Sequence, residues 1–501
     1  MSNNPVESVV IVGGGTAGWM VAASLSNLFG KRLKITLVES SEIGTVGVGE
    51  ATNATIRRFY GRLGMTDFDV LRATQGTCKL GIRFDNWHQK GHSYFHPFGV
   101  YGQEVRQVQF HHFWLKMREM GDQTPLDDYC LGTTLAMHDK FTTPSPNPPS
   151  SLSVFDWALH FDATLFGHLM RDFAIDKGVR RVDAKVSNVN LNPDNGFIDS
   201  VTLEGHDAPL AGDLFIDCSG FKALLIEGAL KTGYEDWSQW LPTDSAVAVQ
   251  SESVGEPHPY TVSTAHEAGW QWNIPLQHRQ GNGHVYCSEY ISDDEATEVL
   301  MRNIDGPLSS DPKMFRFVPG RRKKAWNKNC ISVGLASGFL EPLESTAIAL
   351  VETAIEKIRL LFPDKSMPQG CIDEFNDMTR LEYERVRDFI ILHYHATART
   401  DAPLWNHCRT MEIPEPLAHK MKLFKQRGHL VKYRWEIFQP ASWLALYSGN
   451  NIYPEMYDPR VDTFDMNYVR KSLAEMKKSL QSAMEPLPSH GEFIRKNCYY
   501  R

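Results

Sequence analysis

The chain has 501 residues, of which 42% are hydrophobic and 22% are charged, a composition typical of a globular protein with more than one domain. Its formal net charge of −8 argues against a sequence-independent grip on a nucleic acid backbone, so no nucleic acid partner is expected. No apolar run reaches the roughly 18 residues of a membrane span and no signal-peptide pattern opens the chain, which predicts a cytoplasmic protein without membrane attachment. The eight cysteines are scattered singly, without a CxxC pair, which argues against a metal site.

The first 50 residues predict a βαβ unit. Apolar spacing gives a strand at Ser8–Val12, a helix at Thr16–Phe29 and a strand at Lys34–Glu39. The proline-rich stretch 142–153 predicts a loop, because its prolines lack an N–H donor. Asp162 is expected to cap a helix that runs to Ala174. The basic run 321–324 predicts a solvated loop.

Further strand and helix signals appear later in the chain. Apolar strands are predicted at 213–217 and 330–334, an amphipathic helix at 346–362, and mostly helix from Tyr383 onward. We therefore expect one nucleotide-binding domain assembled from separated segments near 6–52, 213–221 and 330–362. It would lie in a module spanning 1–405 with insertions, and 406–501 would be a mainly helical region that covers the substrate.

A glycine motif directly follows the first strand. Gly13 to Gly18 read GGGTAG, which matches G-x-G-x-x-G at the start of a helix, and Glu39 ends the next strand 21 residues beyond Gly18. Gly13 permits the tight turn, Gly15 lets the backbone approach a pyrophosphate, and Gly18 lets helix and strand pack closely. The free amides of the helix start suit phosphates, and a carboxylate at Glu39 suits ribose hydroxyls. The motif alone leaves FAD and NAD open, but the late strand–turn–helix at 330–362 favours FAD.

Three segments together resemble the flavin-dependent tryptophan halogenases. They are the glycine motif, the W-x-W-x-I-P sequence of Trp270–Pro275, and the PLEST sequence at 342–346. A fourth, GTCKLGI at 76–82, looks like the catalytic-lysine segment of that family, and the resemblance fades beyond about residue 405. It implies an α/β fold: a Rossmann-like FAD-binding domain of the flavin monooxygenase type, with an inserted sheet and a C-terminal, mainly helical part.

The resemblance also implies an activity. Reduced FAD, molecular oxygen and chloride or bromide would yield hypohalous acid, which Lys79 and Glu344 would deliver to an indole or another electron-rich aromatic ring by electrophilic substitution. The chain carries only one clear dinucleotide motif, so a separate NADH-dependent flavin reductase is expected to supply the reduced FAD. The assembly is left open, with a homodimer as one candidate.

The family resemblance assigns the remaining site residues by their positions in this sequence. Each set shares one expected role. Cofactor contacts are expected from Gly13, Gly15, Thr16, Ala17, Gly18, Glu39, Gly49, Glu50, Ala51, Gly334 and Leu335; halide contacts from Ser345, Thr346 and Ala347; substrate contacts from His96, Phe98, Phe438 and Gln439; and a wall between flavin and substrate from Trp270, Trp272, Ile274 and Pro275. The family usually has Gly where this chain has Ala347.

Each of these residues also has a purely structural interpretation. Lys79 alternates with apolar neighbours in residues 77–84, which on its own predicts a surface lysine on a half-buried strand. Glu344 suits a first-turn acid that complements the helix dipole. The tryptophan pair suits core packing, and His96 with Phe98 suits a loop packed on the core.

Two other functions compete with the halogenase, and one narrower form of it stays open. A flavin-dependent aromatic hydroxylase and a flavin-binding protein without turnover are the alternatives, and a tryptophan-specific halogenase is the narrower form. Tryptophan-specific members grip the amino and carboxylate groups with adjacent tyrosines, a glutamate and a Phe-Trp pair. The corresponding region, 428–451, lacks both pairs, although Tyr433 and Glu436 could serve from a shifted position. We therefore expect an indole-type substrate in preference to free tryptophan.

Overall fold

The computed structural model describes residues 4–44, 49–145, 147 and 154–500. Its strands, in chain order, are β1 Ser8–Val12, β2 Lys34–Glu39, β3 Gly49–Ala51, β4 Thr77–Lys79, β5 Gly81–Asp85, β6 Ser93–Pro97, β7 Ala158–Asp162, β8 Arg180–Asp183, β9 Val186–Leu191, β10 Ile198–Leu203, β11 Leu210–Ala211, β12 Leu214–Asp217, β13 Tyr234–Asp236, β14 Ser245–Ser251, β15 Thr261–Ala265, β16 Gly269–Pro275, β17 Gln280–Tyr286, β18 Lys313–Arg316, β19 Gly320–Arg322, β20 Trp326–Asn327, β21 Cys330–Ser332 and β22 Gly338–Phe339.

The α-helices are, in chain order, α1 Thr16–Phe29, α2 Ile56–Arg62, α3 Asp67–Ala73, α4 Phe110–Glu119, α5 Leu131–Met137, α6 Ala163–Asp176, α7 Asp293–Arg302, α8 Thr346–Leu360, α9 Gln369–His395, α10 Pro403–Thr410, α11 Glu415–Arg427, α12 Pro440–Gly449, α13 Met466–Met484 and α14 His490–Asn497. Short 3₁₀ turns at Gly334–Ala336 and Leu343–Ser345 precede α8. Among the helices of the described residues, none is long and apolar enough to cross a membrane.

The chain divides into two compact units, each assembled from three stretches. The first unit comprises Met1–Thr74, Phe161–Asp244 and Arg316–Glu384, and the second comprises Gln75–His160, Ser245–Phe315 and Arg385–Arg501. The elements β7, β18 and α9 run through a boundary in sequence. The domain boundary expected near residue 405 stays a prediction.

A six-stranded sheet organises the first unit. Its strand order is β20-β21-β12-β1-β2-β8, and β1 pairs in parallel with both β2 and β12. The strand β12 pairs in parallel with β21, so segments that are far apart in sequence lie side by side. The buried apolar residues of β1 suit a parallel strand that is covered on both faces. This confirms the Rossmann-like sheet predicted from the sequence.

A seven-stranded sheet organises the second unit. Its order is β18-β14-β17-β16-β15-β5-β6, and from β14 to β6 neighbouring strands are antiparallel except where β15 pairs with β5. Beside it, β4 pairs antiparallel with β7, which sets Lys79 opposite Ala158. The helices α10 to α14 follow in the last hundred residues, as the mainly helical pattern predicts.

Several local predictions can be checked against these elements. The helix cap is confirmed, because the Asp162 carboxylate accepts from the amides of Thr164 and Leu165. The amphipathic helix predicted at 346–362 ends at Leu360, and α9 begins at Gln369 rather than at Tyr383. In the proline-rich stretch, 142–145 and 147 are irregular, and the rest lies outside the described residues.

The solvated loop predicted for 321–324 is correct for Lys323 and Lys324, which are exposed and irregular, but wrong for the two arginines. Arg321 and Arg322 lie on β19, and Arg321 is only 7% exposed. Each guanidinium has an acidic partner: Arg321 pairs with Glu235 at 2.5 Å, and Arg322 pairs with Glu227 at 3.0 Å. Because these acids are distant in sequence, the charge run alone gave no sign that its members are compensated and buried.

Candidate functional site

The glycine motif closes the turn between β1 and α1 by close backbone contacts. Gly13 has φ +115°, and a Cβ there would lie 2.1 Å from the Cys218 carbonyl oxygen. A Cβ on Gly18 would lie 1.9 Å from the Gly13 carbonyl oxygen. Both positions therefore accept only glycine, for the packing reasons that the motif predicts.

Gly15 stands in a different environment. It is the N-cap of α1, and no described atom lies within 4 Å of the Cβ that a substitution would add. The fold itself therefore does not need a glycine here. The open space faces the first amides of the helix, where a pyrophosphate would approach the backbone. The arrangement fits a dinucleotide such as FAD.

Glu39 ends β2 close to the motif, as predicted. A Cβ on Gly14 would collide with the Glu39 carboxylate. One oxygen of that carboxylate accepts from Trp19 Nε1 at 3.3 Å, and the other pairs with Arg181 at 2.5 Å. Arg181 holds the acid in place, and the sequence offered no signal for it.

The late segment returns to the motif within the first unit. Gly334 has φ +68°, and a Cβ there would lie 2.9 Å from the Cβ of Ala17. Leu335 follows in the same 3₁₀ turn, which leads towards α8. Thr16 is tied to α6, since its hydroxyl donates to the Ala163 carbonyl at 3.4 Å. The predicted cofactor residues of both segments are thus neighbours.

The segment 47–52 is only partly described. Gly47 and Val48 lie outside the described residues, whereas Gly49, Glu50 and Ala51 form β3. Burial raises the pKa of Glu50 to about 7, so much of this acid is protonated near neutral pH. Its cofactor role stays a prediction.

The start of α8 has an unusual backbone. Glu344 has φ 63° and Ser345 has φ 57°, so two consecutive non-glycine residues are left-handed. Each such residue costs on the order of 1 kcal/mol, and such strain concentrates at functional sites. Both side chains are buried, and Ser345 is the N-cap of α8 without a side-chain capping bond. The Ser345 amide donates to the Pro342 carbonyl at 3.0 Å, and the first amides of α8, those of Thr346 and Ala347, follow it; amides at a helix start are of the kind that binds anions.

Lys79 is the most distinctive residue of the second unit. Its side chain is 0% exposed, and its ammonium lies 5.2 Å from the centre of the Phe98 ring. The surface lysine that the alternating pattern predicted is therefore wrong. The whole of β4 is buried, Thr77 and Cys78 included, so the pattern of alternating polarity did not mark a solvent face.

Thr77 on β4 and His160 on β7 form buried hydrogen bonds that connect the strand of Lys79 to β16, which carries the tryptophan pair, and to β15. The Thr77 hydroxyl donates to the Pro275 carbonyl at 2.6 Å, and its oxygen therefore accepts from His160 Nδ1 at 2.9 Å. This leaves His160 Nε2 to accept from the Thr261 hydroxyl at 2.9 Å. Burial, together with the charge of Lys79, lowers the pKa of His160 well below its usual range. The imidazole is neutral, with one fixed tautomer.

A second buried histidine holds the same strand. His490 of α14 accepts the Cys78 amide through Nε2 at 3.1 Å and donates from Nδ1 to the Pro257 carbonyl at 2.8 Å. Burial lowers its pKa to about 4, so it also stays neutral. Neither histidine was predicted from the sequence, because Cys78 and His490 are 412 positions apart and neither histidine belongs to a motif.

The predicted wall residues lie along β16. Trp270 and Trp272 are buried on one face of the strand, with ring centres 6.0 Å apart, and Ile274 and Pro275 continue the strand. Gly283 is paired opposite Trp272, and any Cβ there would lie 2.1 Å from the indole. The glycine therefore makes room for the Trp272 ring, a feature that the sequence did not indicate.

Two of the predicted substrate residues, His96 and Phe438, belong to an aromatic cluster. His96 lies on β6 with its ring 6.3 Å from Phe438, and Phe438 stacks on Phe389 at 3.8 Å. Trp443 meets Phe389 edge-on at 5.1 Å. Phe389 and Trp443 were not predicted, because they lie in helices whose sequence patterns indicate only ordinary core packing. Gln439 is exposed and donates to the Glu436 and Ile437 carbonyls, so its substrate role stays a prediction.

The predicted site residues thus fall into both units. The first contains the glycine motif, Glu39, Gly334 and the start of α8 with Glu344. The second contains Lys79, the aromatic cluster and the tryptophan pair. Within each unit the structure brings its predicted residues into neighbouring elements.

Known proteins resemble the chain over nearly its whole length. The family model for tryptophan halogenase matches residues 8–466. The 7-chloro-L-tryptophan 6-halogenase KtzR of Kutzneria sp. (strain 744) is 34% identical, covering 97% of this chain and 99% of that protein. The tryptophan 6-halogenase SttH of Streptomyces toxytricini is also 34% identical, over 98% of each chain.

Two solved structures are also similar. BrvH, a flavin-dependent halogenase from Brevundimonas sp. BAL3, has a TM-score of 0.95 and 54% identity, covering 98% of this chain and 99% of its own. Xcc4156, a flavin-dependent halogenase from Xanthomonas campestris, has a TM-score of 0.96 and 42% identity over 99% of both chains. These matches confirm the resemblance carried by the glycine motif and Trp270–Pro275, and the chain therefore belongs to the tryptophan halogenase family of flavin-dependent enzymes.

Proposed function

We propose that this enzyme uses FAD, oxygen and chloride or bromide to halogenate indole or another uncharged, electron-rich aromatic ring. The observation that carries the proposal is Lys79, a completely buried lysine beside the Phe98 ring. Lysine is almost never fully buried without a compensating role. Its strand is held by two neutral histidines, which preorganises the amine for chemistry.

The first unit would hold the cofactor. The helix start at Gly15 would receive the pyrophosphate, and Glu39 would bind ribose hydroxyls. FAD, delivered reduced, supplies the electrons with which oxygen and halide yield hypohalous acid. The amides of Thr346 and Ala347 would bind the halide beside Ser345, whose own amide donates to the Pro342 carbonyl, and the extra methyl of Ala347 would not remove its amide donor.

Lys79 and Glu344 would carry the halogenation itself. The Lys79 amine would donate a hydrogen bond to hypohalous acid, or would take its halogen to form a haloamine with release of water. The ring would then attack the halogen, breaking its bond to oxygen or nitrogen, and the proton lost by the ring would go to the hydroxide or the amine left behind. The Glu344 carboxylate would orient that electrophile and stabilise the cationic ring before it loses its proton. A carboxylate in a buried site stabilises positive charge far better than one in water.

The tryptophans and the aromatic cluster would control the substrate. Trp270 and Trp272 would keep the ring away from the flavin, so that direct hydroxylation does not compete. His96, Phe98 and Phe438 would stack on the ring, and such contacts contribute about 1 kcal/mol beyond area burial.

The preferred substrate is proposed to be uncharged. The curated relatives named above act on tryptophan or chlorotryptophan. The region 428–451 of this chain lacks adjacent tyrosines and a Phe-Trp pair that could grip a zwitterion. A hydrogen bond to a charged group contributes about 1.5–3 kcal/mol, so the loss of two weakens binding of free tryptophan on the order of a hundredfold or more.

Reduced FAD is proposed to come from a separate NADH-dependent flavin reductase. The sequence contains one clear glycine fingerprint and no second one for a nicotinamide. Mixing the purified protein with FAD and NADH under anaerobic conditions should therefore leave the flavin absorbance unchanged until a reductase is added. Rapid bleaching without the reductase would refute this partner.

The function is tested by product mass. The protein is incubated with FAD, NADH, a flavin reductase, indole and oxygen, with bromide, with chloride or with neither halide. We expect a monohalogenated indole that depends on halide, and no product without it. A hydroxylated product that forms without halide would replace the halogenase with the hydroxylase. Flavin oxidation without any product from indole or other electron-rich rings would favour a flavin-binding protein without turnover.

A further inference from the structure

A buried ion pair lies next to the aromatic cluster of the second unit. Lys420 of α11 and Glu436 are joined at 2.5 Å, with side chains 4% and 2% exposed. Glu436 is two residues before Phe438 in the same segment. Among the described residues, the second oxygen of Glu436 has no hydrogen-bond partner.

The ammonium of Lys420 is held by four contacts at once, one of which is with the Tyr433 ring, whose centre lies 5.0 Å away. Besides Glu436, it donates to the Val431 carbonyl at 2.7 Å, and it lies 3.9 Å from the centre of the Trp443 ring. A desolvated cation is attracted by the electron-rich face of an indole ring. This lysine therefore has one well-defined position rather than a mobile tail.

Aromatic contacts connect this pair to the proposed substrate residues. Trp443, which receives the Lys420 ammonium on its face, meets Phe389 edge-on, and Phe389 stacks on Phe438. His96 lies 5.8 Å from Phe389 by ring centres. Phe438, one of the residues proposed to stack on the substrate ring, is therefore joined to Lys420 through Phe389 and Trp443, and it follows Glu436 by two residues.

The charges around the pair do not favour a second cation. Arg385 and Arg387 both contact the buried Asp388, at 3.7 Å and 2.8 Å. Arg385 and Asp388 act on the Lys420 cation in opposite directions, so their effects on it offset each other. A substrate ammonium would have to compete with a tethered lysine for Glu436 and would lose its hydration without gaining a free counter-charge.

We propose that Lys420 makes this enzyme select against aromatic amines by supplying, from within the chain, the cation that Glu436 would otherwise accept from a substrate. The inference rests on the proposed function and names the charge rule of its substrate pocket. An uncharged ring such as indole loses nothing to the pair. A ring that carries an ammonium, such as tryptamine or free tryptophan, is disfavoured by it.

The decisive variant is Lys420→Met, which keeps length and removes the cation. Glu436 then becomes a buried carboxylate without a counter-charge. We expect the ratio of kcat/KM for tryptamine to kcat/KM for indole to rise at least about tenfold, the effect of one new hydrogen bond between charged groups. Lys420→Met with Glu436→Gln removes both charges and should return the ratio close to that of the wild type.

The chain offers a matched control. Lys357 and Glu382 form a second buried pair, also joined at 2.5 Å, with both side chains 4% exposed. It lies in the first unit, outside every proposed substrate contact. Lys357→Met carries a comparable folding penalty and should leave the tryptamine-to-indole ratio unchanged.

A third variant keeps the inference testable if Lys420→Met fails to fold. Glu436→Gln leaves the Lys420 cation without its partner, and it should raise kcat/KM for indole-3-acetate relative to indole about tenfold while lowering that for tryptamine. Folded variants that halogenate indole but show unchanged ratios for both charged substrates would overturn the inference. A wild-type enzyme that does not halogenate indole would instead overturn the proposed function.

Discussion

The glycine turn Gly13–Gly18, the cofactor region of the first unit, and the strand of Lys79 with its histidines, the lysine region of the second unit, are stabilised in opposite ways. In the first, backbone lies so close to backbone that Gly13 and Gly18 have no space for a methyl group. In the second, polar side chains are fully buried and each is satisfied by a distant partner, as His160 and His490 show. The first region therefore fails when atoms are added, and the second fails when polar atoms are removed.

The two regions therefore tolerate different substitutions. Gly15 is the exception in the first, because no described atom lies within 4 Å of the Cβ that a substitution would add, and we expect a ligand to be what requires glycine there. In the second region, the two neutral histidines bind no substrate in the proposed function, yet they fix the strand that carries Lys79. Variants can separate fold from function in both regions.

The largest effect is expected from Lys79→Ala. Removal of the amine should lower halogenation of indole by on the order of a hundredfold to ten-thousandfold, the range for loss of a positioned proton donor. FAD binding and consumption of oxygen should persist, and a scavenger added to the solution should capture the released hypohalous acid. Mass analysis of indole and scavenger products checks this outcome. Near-full activity on indole would return Lys79 to a structural role.

The next largest effect is expected from Gly15→Val. The new side chain should occupy the space of the pyrophosphate and weaken FAD binding at least about a hundredfold, as measured by fluorescence titration. The thermal midpoint of the protein without FAD should change little, because no described atom lies within 4 Å of the added Cβ.

Two controls bracket this variant. Gly61→Ala, in α2 and equally open, should leave FAD affinity unchanged. Gly18→Ala should destabilise the fold itself, because its Cβ would collide with the Gly13 carbonyl. Undiminished FAD affinity in Gly15→Val would remove the pyrophosphate from this turn.

A smaller effect is expected from His490→Leu. Loss of the Nε2 acceptor leaves the Cys78 amide buried without its partner, which costs about 1–3 kcal/mol, and loosens the strand of Lys79. We expect the halogenated indole formed per oxygen consumed to fall about tenfold, with FAD affinity unchanged. A purely structural role would lower stability without changing that yield.

His168→Leu provides the comparison for His490→Leu. This histidine is exposed on α6, so its replacement should alter neither yield nor stability. Equal yields in both variants would show that His490 does not position the lysine strand.

The smallest effect on halogenation is expected from Glu352→Gln, which tests whether the first unit contains a buried carboxyl group whose ionisation lowers stability. Glu352 of α8 is 6% exposed, and burial raises its pKa to about 8 from 4.5. Between pH 4.5 and pH 8 the folded protein holds a proton that the unfolded chain releases, so stability falls as pH rises through this window.

The glutamine variant cannot ionise and should escape this loss. Its gain in unfolding free energy over the wild type should grow from pH 5 to pH 8 and reach about 4 kcal/mol. Urea unfolding at several pH values measures the difference. Parallel curves for the two proteins would mean that Glu352 titrates normally.

Much of the first unit could be predicted from sequence because its signals are local. The bounds of β1, α1 and β2 agree with the predicted ones, since apolar periodicity and the glycine motif act over a few residues. The left-handed backbone of Glu344 and Ser345 could not be predicted, because neither residue type favours it. Tertiary packing imposes that conformation.

The lysine region was harder to predict, because tertiary contacts rather than local sequence determine its structure. Lys79 alternates with apolar residues like a surface lysine, and only the family resemblance pointed to catalysis. Its burial depends on partners such as Ala158 and His490, which one short segment cannot reveal. The pairing of Lys420 with Glu436 likewise joins a helix to an irregular segment without any motif.

We propose that this enzyme halogenates an uncharged indole-type ring in preference to free tryptophan, and a competition assay decides between the two substrates. Equimolar indole and tryptophan are incubated with FAD, a flavin reductase, NADH, chloride and bromide, and the products are quantified by mass. We expect halogenated indole as the main product and a higher specificity constant for indole. A higher specificity constant for tryptophan, or oxygenated products that form without halide, would overturn this preference.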